Sequence, residues 1–223
     1  MSDSRDRSPV FVFGALRSGT TVFRLMLNAH ARLGNPGEMD FLFDFLHRGA
    51  SGWHYDRPGL ATNRIFAASG LNLPDGKDGL DLLDDFLGQL EARQDGRQLC
   101  ITLHRNIAKV AEVLPKARII HMLRDPRDVA RSSIGMGWAG TLYHGVRHWI
   151  ETEREWSDTL FPAEQVLTLT YEALFRDIRH ELSRVCDFLG VEFSEEMLGY
   201  HRDTTYGPPD PALVEQWLSL IHI

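Results

Sequence analysis

Cysteine is scarce in this chain, which contains only Cys100 and Cys186 in 223 residues. Both lie within apolar patterns and far from any metal-ligand spacing, so we expect buried, reduced thiols. The chain also lacks an apolar run near the ~20 residues that span a bilayer. Its first residues, MSDSRDRSP, lack the apolar core of a secretory signal. These absences predict a cytoplasmic protein without a membrane span.

Positive charge is also in short supply, since 24 Lys and Arg residues stand against 31 Asp and Glu residues, for a formal net charge of −7. Non-specific binding to nucleic acid or to a membrane surface favours a basic protein, so this balance argues against both. The deficit is uneven, because the stretch from Arg105 to Arg131 holds seven Lys or Arg residues and three acidic ones. A basic segment in an acidic protein suits a small anionic ligand better than a polyanion.

Internal repeats, low-complexity tracts and hairpin signals are absent from the sequence. Instead, apolar runs typical of buried strands alternate with amphipathic helical patterns, which predicts one α/β domain with a central parallel β-sheet flanked by helices. The expected strands cover residues 9–13, 98–103, 117–123 and 165–170. The expected helices cover residues 20–29, 80–90, 107–114, 143–160 and 177–189, with another starting at Pro126. Turn chemistry at 33–37 predicts a turn. A Gly-, Pro- and Asp-rich stretch at 48–78 predicts loops, with room for a short helix.

The first expected strand ends at Gly14, and a helical pattern starts at Thr20 after a short loop. A strand, a tight turn and a helix N-terminus form the geometry that points backbone N–H groups at an anion. The segment from Gly14 to Thr21, GALRSGTT, has the spacing of the nucleoside-triphosphate loop G-x-x-x-x-G-K-S/T, but Thr20 replaces the lysine. The cation lies inside the loop, at Arg17, which suits a shorter anion than a triphosphate. The alternative, a P-loop nucleotide kinase or NTPase, predicts a lysine after Gly19 and dependence on Mg²⁺.

A second candidate anion site is the segment RDPRDVARS at residues 124–132, which directly follows the third expected strand. Arg124 therefore lies at the carboxyl end of a strand, where open α/β sheets bind ligands. If Arg124 belongs to the strand-to-helix turn, it and Ser132 can converge on one anion. A surface helix cap with Arg–Asp pairs is the alternative, and we keep it for Arg131 and partly for Arg127.

Together these two segments resemble the sulfotransferases that use 3′-phosphoadenosine-5′-phosphosulfate (PAPS), in the branch of bacterial and tyrosylprotein sulfotransferases. The resemblance covers about residues 9–190 and implies a three-layer P-loop-type fold, PAPS as the sulfuryl donor and no metal. FGALRSGTT is similar to the family's loop for the 5′-phosphosulfate, and the strand–RDPRD–helix segment is similar to its element for the 3′-phosphate. A weaker match, YEAL after the fourth strand, implies that Tyr171 approaches the nucleotide, although a core role explains it equally well. The donor-binding residues implied in this way are Arg17, Ser18, Gly19, Thr20, Thr21, Arg124, Ser132 and Tyr171.

Sulfuryl transfer to an alcohol, phenol or amine needs a base that removes a proton from the attacking group. The resemblance implies that Glu38 is this base and that Arg17 offsets the charge growing on the bridging oxygen of the donor. His104, at the end of the second expected strand, lies in a place comparable to the catalytic His of cytosolic sulfotransferases, and we treat it as the second candidate base or a transition-state donor. The alternatives are that Glu38 caps a helix and that His104 orders a loop.

The acceptor is not named by the sequence, and a small molecule, a peptide or a carbohydrate is compatible with it. Aromatic residues at loop ends more often pack locally, and this is the alternative for four candidates to line an acceptor pocket: Trp53, Tyr55, Trp138 and Tyr143.

The last residues of the chain, LSLIHI, match one reading frame of a common transposon-end sequencing adapter. We therefore expect residues 218–223 to be non-native read-through, and a genuine apolar C-terminus is the alternative. The single sulfotransferase domain, residues 1–217, is then expected to be incomplete at its C-terminus. An inactive nucleotide-binding fragment is a further alternative.

Overall fold

The computed structural model describes residues 8–200, so the expected read-through at 218–223 and the expected domain end at 217 lie outside the described residues. The described strands are β1 (Val10–Phe13), β2 (Leu33–Gly34), β3 (Leu46–Gly49), β4 (Gly52–Tyr55), β5 (Gln98–Leu103), β6 (Arg118–Leu123) and β7 (Val166–Thr170). The described helices are α1 (Thr20–Asn28), α2 (Phe41–Asp44), α3 (Arg57–Thr62), α4 (Arg64–Ser69), α5 (Gly79–Ala92), α6 (Ile107–Val113), α7 (Pro126–Gly135), α8 (Leu142–Asp158), α9 (Tyr171–Arg176) and α10 (Ile178–Leu189). None of the helices between residues 8 and 200 is long and apolar enough to cross a bilayer.

Five of these strands form one parallel sheet in the order β2-β5-β1-β6-β7. β1 lies in the middle and pairs with β5 on one side and with β6 on the other. Since both partners come much later in the chain, the connections between them are crossovers through helices. The four strands expected from the apolar runs are all present, which confirms the α/β fold with a central parallel sheet.

Helices cover both faces of this sheet. Phe11 and Phe13 of β1 pack into a cluster that includes α5 and α6, whereas Val10 and Val12 pack into a second cluster with α1 and α10. None of the four side chains has any exposed surface. Because successive residues of a strand point to opposite faces, a strand that is apolar throughout requires a layer on each side. The sheet and its two helical layers therefore make three layers, and the loop after β1 begins at the carboxyl edge of the sheet.

The expectation of no hairpin is wrong, whereas the expected short helical structure in residues 48–78 is present as α3 and α4. β3 and β4 form an antiparallel hairpin, whose turn relies on Gly52 at a φ of 116° rather than on an Asn-Gly or Asp-Gly pair. Tyr55 at its end belongs to the core, since its ring meets Phe86 edge-on and its hydroxyl donates to the Leu42 carbonyl at 2.7 Å. Tertiary packing therefore stabilises a hairpin that could not be predicted from the sequence of its turn.

Several polar residues that indicated loops act as helix N-caps. Asp56 precedes α3, Asn63 precedes α4 and Asp78 precedes α5, and each side chain accepts a hydrogen bond from a backbone N–H of the first turn. Caps and turns use the same residue types, so composition does not separate them. The expected turn at 33–37 also begins with the two-residue edge strand β2, which pairs with β5.

The two cysteines are free and buried, as expected from their apolar surroundings. Burial raises the pKa of Cys100 to about 12 and that of Cys186 to about 11. Both thiols are therefore protonated at neutral pH and unreactive.

Candidate functional site

The candidate site lies at the carboxyl edge of the sheet. Gly14 follows β1, His104 follows β5, Arg124 follows β6 and Tyr171 follows β7. Because these four strands are parallel neighbours, the residues after them come together. A pocket of about 300 Å³ opens at this edge, a volume in the range of small-molecule sites.

The pocket contains almost all of the residues that the sequence analysis assigns to donor binding or catalysis. Its lining includes Arg17, Gly19, Thr20, Thr21, Glu38, His104, Arg124, Ser132 and Tyr171. Ser18 is the exception, because its side chain is fully buried and its hydroxyl has no hydrogen-bond partner among residues 8–200. Sequence reasoning missed the apolar and aromatic wall formed by Leu16, Val22, Leu25, Phe175 and Tyr200. Val22 and Leu25 on α1 and Phe175 on α9 have the spacing of core residues, so the sequence carried no signal that could identify them as pocket residues.

The loop between β1 and α1 has an unusual backbone conformation. Arg17 has a φ of 73° and Gly19 has a φ of 93°, both in the left-handed region. A Cβ on Gly19 would lie 2.3 Å from a ring carbon of Tyr171, so no larger residue fits there. Thr20 then starts α1, whose first turn has neither a side-chain cap nor an acidic residue. This helix N-terminus is suited to an anion that takes the place of a cap.

Arg17 joins the two candidate anion sites. Its Nε donates a hydrogen bond of 2.8 Å to the hydroxyl of Ser132 on α7, 115 residues away in the chain. On its other side the guanidinium lies 5.5 Å from the ring centroid of Trp138. The two motifs that were found separately in the sequence therefore meet at one side chain.

Arg124 is held against the loop. Its Nη1 donates to the carbonyl of Arg17 at 2.9 Å, and its guanidinium carbon lies 4.2 Å from the ring centroid of Tyr171. Its Nε is buried and has no hydrogen-bond partner in the described part of the chain. A buried donor of this kind is uncommon and marks a position where an anionic oxygen can bind.

The electrostatics of the pocket favour an anion. Burial, and then the charge of Arg124, lower the pKa of Arg17, which shows that the two cations share a partly desolvated space. The partial positive charge at the start of α1 adds to them. Between residues 8 and 200, no group of three or more His, Cys, Asp or Glu side chains is arranged to hold a metal ion.

Glu38 and His104 form a contact on the wall of the pocket. Glu38 is aligned with β5 by an isolated bridge to Thr102, and its Oε1 lies 3.4 Å from Nε2 of His104. At this distance the contact is electrostatic rather than a well-formed hydrogen bond. The Glu38 side chain is 45% exposed and that of His104 only 3%, so a bound acceptor reaches the carboxylate more easily than the imidazole.

The backbone and ring of His104 are fixed from behind. Its N–H donates to the carboxylate of Asp40 at 2.8 Å, and its Nδ1 donates to the carbonyl of Gly14 at 2.7 Å. The second bond places a hydrogen on Nδ1, because a carbonyl only accepts. Asp40 is itself 3% exposed, and burial raises the pKa of its carboxyl. The sequence analysis did not single out this residue.

The contact between Glu38 and His104 affects the protonation of both groups. Proximity to the His104 ring lowers the pKa of Glu38 against the opposing effect of burial. Burial alone would lower the pKa of His104, but Glu38, Asp40 and the Gly14 carbonyl outweigh it and raise the pKa. Glu38 is therefore anionic at neutral pH, and the protonated form of His104 is favoured beside it.

Of the four aromatic candidates for an acceptor pocket, Trp138 lies in the lining. Tyr55 is buried in the core and Trp53 packs against the same core cluster, so for these two residues the alternative of local packing is confirmed. Tyr143 is 79% exposed and lies outside the lining.

Comparison with known proteins gives one consistent result. A family model described as "Sulfotransferase family" matches residues 9–195. A putative protein-tyrosine sulfotransferase of Caenorhabditis briggsae is 26% identical over 209 residues, covering 86% of this chain and 69% of the worm protein.

Solved structures share the fold. The sulfotransferase domain of the Synechococcus PCC 7002 olefin synthase superposes with a TM-score of 0.70 at 22% identity, covering 98% of this chain and 91% of that one. A mouse sulfotransferase, SULT7A1, whose structure is a complex with PAP, superposes with a TM-score of 0.52 at 17% identity, covering 90% and 65%.

Proposed function

Since this chain belongs to the sulfotransferase family, we propose that it moves a sulfuryl group from PAPS to a hydroxyl or amine acceptor by in-line attack. The contact between Arg17 and Ser132 carries this proposal. It joins the loop assigned to the 5′-phosphosulfate with the element assigned to the 3′-phosphate. A pocket with two separate anion sites suits a nucleotide that carries phosphate groups at both positions. The complex of the mouse relative with PAP, taken as adenosine 3′,5′-bisphosphate, supports the same donor.

The residues present fit that donor. Three buried polar atoms in or beside the pocket have no hydrogen-bond partner among the described residues, namely Ser18 Oγ, Arg124 Nε and His104 Nε2. Buried polar groups are nearly always paired, so Arg124 Nε and His104 Nε2, which belong to residues of the pocket lining, are available to a ligand. In our proposal the loop and the N-terminus of α1 bind the 5′-phosphate, and Arg124 with Ser132 binds the 3′-phosphate. Tyr171 supports Arg124 and presents its ring to the nucleotide.

PAPS supplies the sulfuryl group, and the side chains supply the proton transfer and the charge. A bond forms between the acceptor oxygen and sulfur while the bond from sulfur to the bridging oxygen of the donor breaks. The acceptor proton passes to Glu38, which is anionic and reachable from the pocket. Arg17 offsets the negative charge that develops on the bridging oxygen. The products are a sulfate ester and adenosine 3′,5′-bisphosphate.

His104 acts as a partner of Glu38 rather than as the base. Its side chain is almost fully buried, and its Nδ1 is committed to the Gly14 carbonyl. The remaining nitrogen, Nε2, points towards Glu38, where a protonated ring orients the carboxylate and donates to an oxygen in the pocket. The assignment of Glu38 over His104 thus rests on exposure.

The acceptor is proposed to approach along Trp138. This residue lines the pocket, contacts Arg17 and is 56% exposed, so it connects the reacting centre to the surface. An acceptor with an apolar or aromatic body next to its hydroxyl suits the exposed Trp138 ring, whether it is a small molecule or part of a peptide.

Thermal unfolding with and without adenosine 3′,5′-bisphosphate tests the assignment of the 3′-phosphate site. The nucleotide should raise the unfolding temperature of the wild type, because a ligand that binds only the folded state stabilises it. Arg124→Ala should weaken binding by roughly ten- to a hundredfold through loss of charged hydrogen bonds.

Arg127→Ala is the matched control for this test. Arg127 lies three residues further on, is exposed and is paired with Asp125. Its removal should leave the nucleotide effect unchanged. Equal effects of the nucleotide on the two variants would contradict the assigned role of Arg124, and no effect on the wild type would contradict the donor.

A further inference from the structure

Three carbonyl groups of the loop between β1 and α1 are each bound by a side chain from another part of the fold. His104 donates to the carbonyl of Gly14 at 2.7 Å, and Arg124 donates to that of Arg17 at 2.9 Å. Between them, Nε2 of His148 on α8 donates to the carbonyl of Leu16 at 3.0 Å. His104 and Arg124 already have proposed roles in the site. His148 has no role assigned so far.

We propose that His148 is a positioning residue for the 5′-phosphate: it holds the Leu16 carbonyl away from the anion and so orients the loop. This inference rests on the proposed function, because it assumes that the loop binds the 5′-phosphate of the donor. His148 acts through the loop backbone and is not proposed to touch the reacting atoms.

The argument follows from the planarity of the peptide bond. In a trans peptide the carbonyl of one residue and the N–H of the next point in opposite directions. Fixing the Leu16 carbonyl on His148 therefore fixes the direction of the Arg17 N–H. If this peptide rotated, a carbonyl oxygen would replace an N–H on the side of the bound anion and would repel it.

The conformation of Arg17 makes such a hold necessary. Its φ of 73° lies in a region that residues other than Gly adopt rarely, and they persist there only when the surroundings fix them. The side chain of Arg17 donates a hydrogen bond to Ser132, and Arg124 donates one to the carbonyl of Arg17, which belongs to the peptide group after this residue. His148 fixes the peptide group before Arg17. Together these contacts hold the residue from both sides.

α8 is placed to provide this support. Thr152, one turn after His148 on the same face, donates from its hydroxyl to the carbonyl of His104 at 3.1 Å. At the other end of the helix, Gly145 allows close packing on α7, since a Cβ there would lie 2.8 Å from the Ala130 carbonyl. One helix thus braces both the phosphate loop and the end of β5.

The test compares two nucleotides that differ only in the 5′-phosphate. Adenosine 3′,5′-bisphosphate and adenosine 3′-monophosphate are titrated by calorimetry into the wild type and into His148→Ala. Loss of the hydrogen bond to the loop should weaken the binding of the bisphosphate by about tenfold, which corresponds to about one hydrogen bond. The affinity for the monophosphate should not change. His148→Gln retains an amide N–H that can donate to the carbonyl, so it should recover most of the difference and also serves if the Ala variant does not fold.

Arg147→Ala is the matched control. Arg147 is the preceding residue of α8 and forms an exposed pair with Glu151. Its removal should leave both affinities unchanged. Equal weakening of both nucleotides by His148→Ala, or no weakening of either, would overturn the inference while leaving the donor assignment intact. A wild type that binds neither nucleotide would instead overturn the proposed function and this inference together.

Discussion

At the scale of single residues, Glu38 and His104 are distinguished by their surroundings. The carboxylate is half-exposed and lies on the pocket wall, whereas the imidazole is buried and tied to Gly14 and Asp40 by its ring and backbone. A general base must reach the substrate, whereas a group that only orients the base need not. The resemblance ranked Glu38 before His104, but the difference in exposure that supports this order depends on the packed structure and could not be obtained from the sequence.

Glu38→Gln should lower kcat by roughly two to four orders of magnitude, because an amide cannot remove the proton from the attacking hydroxyl or amine. Donor binding should change less than turnover, since Glu38 acts on Arg17 only through its charge and is not assigned to bind a phosphate oxygen. Steady-state kinetics combined with calorimetry on adenosine 3′,5′-bisphosphate separates the two effects. His104→Gln, the comparison variant, should lose less turnover. Full activity of Glu38→Gln beside an inactive His104→Ala would show that the imidazole is the base.

The charge interaction between these residues gives a prediction about pH. The pKa of His104 is raised above its ordinary value near 6.5 by Glu38 and Asp40, despite burial. The stabilisation from its protonated form is therefore fully present below about pH 6.5 and is lost as the pH rises through the raised pKa. NMR titration of the imidazole should give a higher pKa in the wild type than in Glu38→Gln. An equal or higher pKa in the variant would contradict the proposed interaction.

At the scale of elements, the loop between β1 and α1 depends on one glycine. Gly19 has a φ of 93°, and a Cβ at this position would collide with a ring carbon of Tyr171. Its N–H and those that follow it open α1 without any side-chain cap. A change here therefore affects the backbone conformation, the packing on Tyr171 and the anion site together.

Gly19→Ala should lower the free energy of unfolding by about 1–3 kcal/mol, through strain at a positive φ and the steric conflict with Tyr171. It should also abolish binding of adenosine 3′,5′-bisphosphate. Chemical denaturation and calorimetry measure the two effects. The control is Gly140→Ala, where a Cβ would meet nothing within 4 Å, and we expect a change of no more than about 0.5 kcal/mol. Similar behaviour of the two variants would refute this account of the loop.

The elements also differ in how far the sequence determined them. β1, β5 and β6 were predictable because apolar residues on both faces identify buried parallel strands. The β3–β4 hairpin was not, since its stability comes from the burial of Tyr55 on Phe86 and not from its turn. The caps at Asp56 and Asn63 were interpreted as loops because the same side chains favour both structures.

The candidate site shows the same limit. Both anion motifs were predictable because spacing and residue type are local properties of the sequence. The contact of Arg17 with Ser132 and the support of the loop by His148 join residues more than a hundred positions apart. Such contacts depend on the order of the strands in the sheet, which the sequence pattern did not specify.

At the scale of the whole molecule, the order of the sheet explains why the site works as one unit. β1 is central, and the later strands β5 and β6 pair on either side of it. The loop after β1 therefore lies between His104 after β5 and Arg124 after β6, and both donate to its carbonyls. The acidic net charge of the chain belongs to the rest of the molecule, while cations concentrate where two phosphates are proposed to bind.

The central claim is that these cations and the loop bind a nucleotide with phosphates at both the 3′ and 5′ positions. Calorimetric titration of the chain with adenosine 3′,5′-bisphosphate, and separately with ATP and Mg²⁺, tests it most directly. The account predicts at least about tenfold tighter binding of the bisphosphate, equivalent to about 1.4 kcal/mol, because Arg124 and Ser132 meet a 3′-phosphate that ATP lacks and Thr20 replaces the lysine that a triphosphate needs. Tighter binding of ATP with Mg²⁺ would contradict the account in favour of a nucleotide kinase or NTPase, and binding of neither would indicate an inactive fragment.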